Sequence, residues 1–129
     1  MKDILVPISP GELLDKITIL RIKAERIGDA AKLANVRLEL KLLEQTWREA
    51  CGVADVATEE RALQAVNERL WDIEDRIRAK EAARAFDAQF IELARSVYIE
   101  NDERAAVKKR INLALGSRLL EEKSYQAYR

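Results

Sequence analysis

Apolar residues recur along most of this chain at alternating steps of three and four, the spacing that lines one face of a helix. The first seam is Leu13, Ile17, Leu20, Ala24 and Ile27. A second runs through Leu33, Val36, Leu40, Leu43 and Trp47, and a third through Leu63, Val66, Leu70, Ile73 and Ile77. Phe90, Leu93, Ala94, Val97 and Tyr98 mark a fourth helix, and Val107, Ile111 and Leu115 a fifth. The intervals carry helix punctuation. In Ser9-Pro10-Gly11-Glu12, Ser9 serves as cap, Pro10 fits the first helical position and Glu12 is placed to complete a capping box. Gly28 is expected to stop the first helix after Ile27, Asp29 to cap the second and Gly52 to end it. Thr58 is the expected cap of the third helix and Asn101 of the fifth, which Gly116 closes. A weak junction near Phe86-Asp87 separates the third helix from the fourth.

Ahead of the first helix, Lys2 to Ile8 reads as extended, and Pro7 limits it to an edge strand or a strapped arm. The tail beyond Ser117 holds Leu119, Leu120, Tyr125 and Tyr128, enough apolar surface to dock. The pattern thus predicts an all-α fold, an antiparallel helical bundle of about five helices with a short extended N-terminal arm. With no repeat and no linker, it forms one domain over residues 1–129.

Composition narrows the chemistry. Gly (4) and Pro (2) are scarce among 129 residues, which agrees with long helices. Lys plus Arg and Asp plus Glu stand at 23 each, so there is no basic excess of the kind that nucleic acid or an anionic membrane attracts. The expectation is no nucleic acid and no membrane. One cysteine, Cys51, excludes an intramolecular disulfide, and nothing resembles a secretory signal, so a cytoplasmic location is expected. The chain has no histidine. That removes Ser-His-Asp and Cys-His catalysis and every His-containing metal site in one step. No metal, no cofactor and no catalytic motif is predicted.

Two places carry more charge or more apolar surface than packing requires. On the first helix Ile19 and Ile22 fall opposite Leu13 and Ala24, with Asp15, Lys23 and Arg26 on the same second side. Either this helix packs on two fronts, or Ile19, Ile22 and Arg26 form a self-association surface. On the fifth helix Arg104, Lys108 and Asn112 run beside the Val107, Ile111, Leu115 stripe. These cations either snorkel, or pair with carboxylates such as Asp15 or Glu92, or join Arg95 in an anion-binding site. The residues to watch for a ligand are therefore Asp15, Arg95, Arg104, Lys108 and Asn112.

Two blocks carry a family likeness: Pro7-Ile8-Ser9-Pro10-Gly11-Glu12-Leu13-Leu14-Asp15-Lys16-Ile17, and Phe90-Ile91-Glu92-Leu93-Ala94-Arg95-Ser96-Val97-Tyr98 with Asn101-Asp102-Glu103-Arg104. They resemble a bacterial family of similarly short proteins classed as a domain of unknown function. The long first helix with a polar face, and Phe86 to Ile91, are also similar in flavour to the all-helical chorismate mutases. That likeness implies a related helical fold, although Leu14 stands where the first ligand-gripping arginine is expected. The leading expectation is a non-catalytic protein acting through self-association, as a homo-oligomer, or through another protein. The alternative is a binder or enzyme for a small anionic metabolite, chorismate-mutase-like at the outside.

Overall fold

A computed structural model describes residues 1–129. Four α-helices and no strand make up its regular structure: α1 (Pro10–Arg26), α2 (Ala30–Cys51), α3 (Ala57–Ala82) and α4 (Ala88–Ala114). The all-α expectation holds, and the count corrects from about five helices to four. The expected fourth and fifth helices are one continuous helix, and Asn101 caps nothing. Its inward seam runs on through Glu100 and Arg104, whose charges broke the apolar period. Both are paired across helices, Glu100 with Arg69 at 2.9 Å and Arg104 with Asp15.

Local signals explain most boundaries. The Ser9 hydroxyl accepts the Glu12 N–H at 3.2 Å with Pro10 in the first turn, and the Asp29 carboxylate accepts the Lys32 N–H at 2.9 Å. The capping box at α1 is only half made, because the Glu12 carboxylate binds Lys108 instead, at 2.7 Å. α1 stops where Ile27 turns extended (φ −81°, ψ 128°), without a left-handed glycine. The cap of α3 shifts from Thr58 to Val56, which makes no side-chain bond and is buried in the core, and the helix starts at Ala57. Packing of that valine, rather than capping chemistry, sets where the helix begins. Between α3 and α4 the chain reverses through Arg84 in the left-handed region (φ 52°), and Gly116 (φ 64°) does the same after α4.

α3 and α4 form an antiparallel hairpin, since Lys80–Asp87, Arg69–Glu100 and the packed pair Leu63 and Val107 are all centred on that reversal. α1 lies antiparallel to α4, with Gly11 bonded to Asn112, Glu12 to Lys108 and Asp15 to Arg104. The backbone of α1 lies close to all three other helices and that of α2 only to α1. The apolar core, Leu14, Val56, Leu63, Val107 and Ile111 with Trp47 packed against it, sits where the N-terminal ends of α1 and α3 meet the C-terminal part of α4. The arm before Ser9 forms no strand, and its Ile4 and Leu5 are exposed. The tail folds back along α4: the Tyr128 hydroxyl donates to Asp102 and its ring meets Tyr98 edge-on at 4.7 Å.

Candidate functional site: a buried ionic layer and the groove beside it

One helical turn beyond the core, the interior turns polar. Asp15 on α1 is 1% exposed and carries a carboxylate. Such a group is tolerated inside only when paired and hydrogen-bonded. Arg104 on α4 supplies the pairing through a fork, its Nε donating to Oδ1 at 2.9 Å and a terminal N–H donating to Oδ2. Asn67 on α3 donates from Nδ2 to the same Oδ1 at 3.0 Å and to the Thr18 hydroxyl at 2.9 Å. Thr18 in turn donates to the Asp15 carbonyl at 2.8 Å. Three helices are thereby tied at one carboxylate. The bonds from Asp15, set against the burial that opposes charge, hold the Arg104 guanidinium above its ordinary value.

A second cluster lies towards the α1 N-terminus. The Asn112 side-chain oxygen accepts the Gly11 N–H at 2.7 Å, so α4 satisfies a donor that the first turn of α1 leaves free. Lys108 donates to Glu12 at 2.7 Å and to Glu121 of the tail at 2.9 Å. Burial works against its charge, but those two carboxylates outweigh it and raise Lys108. Lys123 and then Lys108 pull Glu121 down from 4.5 to about 2.

A carboxylate with a depressed folded-state value stabilises the fold fully above its unfolded value and loses that contribution as pH falls through the folded one. Docking of the tail at Glu121 is therefore complete above 4.5 and weakens towards about 2. A carbon-13 NMR titration should place the Glu121 midpoint near 2, and Lys123→Ala should raise it. A midpoint at the ordinary carboxylate value would contradict the clamp.

Of the residues singled out in the sequence, Asp15, Arg104, Lys108 and Asn112 line one side of α1 and α4, in two adjoining clusters. Arg95 does not join them: it faces Glu92 on its own helix at 3.8 Å. Ile22 is buried within the chain, Arg26 bonds to Asp72 on α3, and Ile19 lines a groove. Thr18 and Asn67 were not anticipated. The only hint was that Asn67 follows Val66 and lies four residues after Leu63, on the inward side of α3. The groove, about 470 Å³, opens over Asn67 and Arg104 and is walled by Ile19, Ile22, Leu70 and Trp71. Nowhere do three or more His, Cys, Asp or Glu side chains gather as a metal would need, and no helix is long and apolar enough to cross a membrane.

Fold and site together define a small all-α protein with a polar, ion-paired layer set into its helical interior. The chain belongs to the family described as "Family of unknown function (DUF6165)", whose pattern it matches over residues 4–128. Comparison with curated proteins and with solved structures finds no match.

Proposed function

We propose that this is a non-catalytic, cytosolic helical protein that works by self-association, joining a second copy through the outer face of α2. Exposed area carries the reading. The chain exposes 9181 Å², whereas a compact monomer of 14.7 kDa exposes about 6,900 Å². The excess of about 2,300 Å² is of the size that obligate homodimers bury. Its apolar part includes α2 and the arm: Leu38 is 61% exposed, Leu42 46% and Leu5 91%. Leu38 and Leu42 stand one turn apart on a helix that packs on α1 and, through Trp47, against the core. The second side of α1 is not offered as the surface, because Ile22 and Arg26 are engaged within the chain.

Changing Leu38 and Leu42 together to Asp should weaken self-association at least about 100-fold while leaving helicity intact, since both side chains point outward. Sedimentation equilibrium measures the first and circular dichroism the second. An association constant that does not move would count against α2.

A second reading, a binder of a small anionic metabolite, is favoured by one observation. Arg104 and Lys23, which makes no ion pair, both line the groove, whereas Lys108 is already paired with Glu12 and Glu121.

A further inference from the structure

We infer that the groove between α1, α3 and α4 binds a small hydroxylated aromatic carboxylate, its ring against Trp71 and its acid between Arg104 and Lys23; this rests on the ligand reading and not on self-association. The volume of about 470 Å³ falls within the ~300–1,000 Å³ of small-ligand pockets, which combine apolar walls with a few placed polar groups. Trp71 is half-buried and, with Ile19, Ile22 and Leu70, gives the apolar walls.

Three polar groups that line the groove are left with unused capacity. Arg104 spends Nε and one terminal N–H on Asp15, leaving further guanidinium N–H donors, and its side chain keeps 28% of its surface open. Lys23 is half-exposed with no carboxylate partner. Asn67 is 5% exposed, donates both its bonds from Nδ2, and its carboxamide oxygen accepts none within the chain. Two kinds of partner are thus called for. The cationic donors want an anion, and the Asn67 oxygen, which has no partner in the chain yet is not sealed from solvent, can accept from a donor such as a hydroxyl. The acidic residues of the groove, Glu74 and Asp75, are exposed on its rim, and Glu74 is taken by Arg78 at 3.2 Å. Solvent screens them, whereas Arg104, Lys23 and Asn67 are less exposed.

The test is a titration of the full chain with 4-hydroxyphenylacetate, phenylacetate, 4-hydroxyphenylacetamide and phenyl phosphate. Trp71 fluorescence is read in a Trp47→Phe background, and calorimetry is run on the unmodified chain. The expected result is saturable binding of 4-hydroxyphenylacetate, weakened about tenfold by loss of the hydroxyl, by loss of the acid, or by Lys23→Ala. The Lys23 side chain makes no bond that holds the fold, so an unchanged melting temperature in that variant separates binding from folding. Binding indifferent to the hydroxyl, to the acid or to Lys23→Ala would overturn the inference, as would no binding of any probe. Preference for phenyl phosphate would overturn the carboxylate assignment while leaving the ligand reading standing.

Discussion

Replacing Arg104 with alanine is expected to destabilise the protein by about 3–5 kcal/mol, because it strands a buried carboxylate. Asp15 would keep one bond from Asn67 and lose both arms of the guanidinium fork, at a position 1% open to water. In a chain of this length that corresponds to a fall in melting temperature of about 10–20 °C. Arg104→Lys should recover only part of it, since an ammonium cannot reach both carboxylate oxygens as a planar fork does. The double change Asp15→Leu with Arg104→Met should be far milder than Arg104→Ala alone, because it removes both buried charges together. Thermal melts of the four proteins decide the matter. A loss below about 1 kcal/mol for Arg104→Ala would place that pair among weakly coupled surface bridges and contradict the layer.

The next largest effect is expected at Gly11. A Cβ built there lies 2.6 Å from the Lys108 carbonyl oxygen and 2.9 Å from the Asn112 side-chain oxygen. The nearer atom is backbone and has nowhere to go without separating α1 from α4. Alanine ordinarily favours a helix over glycine by about 1 kcal/mol. Here the overlap should more than cancel that gain, leaving Gly11→Ala destabilised by about 1–3 kcal/mol. Separating the helices also lengthens the Gly11 N–H to Asn112 bond. Gly28, with nothing within 4 Å of its built Cβ, is the control, and Gly28→Ala should be close to neutral. Urea unfolding of both variants checks the contrast; equal midpoints would show that α1 and α4 do not approach so closely.

Much of this fold could be read from residue spacing. The caps at Ser9 and Asp29 and the reversal at Gly116 are local chemistry, and local chemistry is written in consecutive residues. The error over α4 has a physical origin. Glu100 and Arg104 occupy inward seam positions, and a rule that seeks apolar residues there reads charge as a break. The same substitution of charge for carbon is what creates the site. Pairing of Arg104 with Asp15 was one alternative open to the sequence, but Asn67 meets Asp15 across 52 residues and Thr18 across 49, Glu121 reaches Lys108 across 13, and none of these carries a motif. The turn at Arg84 was also faint, because a left-handed arginine lacks the glycine that usually marks such a reversal. Trp71 directly follows the seam residue Leu70, and its position on a groove depends on how three helices cross.

The central claim is self-association through α2, and the most direct measurement of it is the solution mass of the unmodified full-length chain. Sedimentation equilibrium from about 1 to 100 μM, a range in which an interface of this size should be populated, should give twice 14.7 kDa. A mass that stays at 14.7 kDa across the whole range would contradict it.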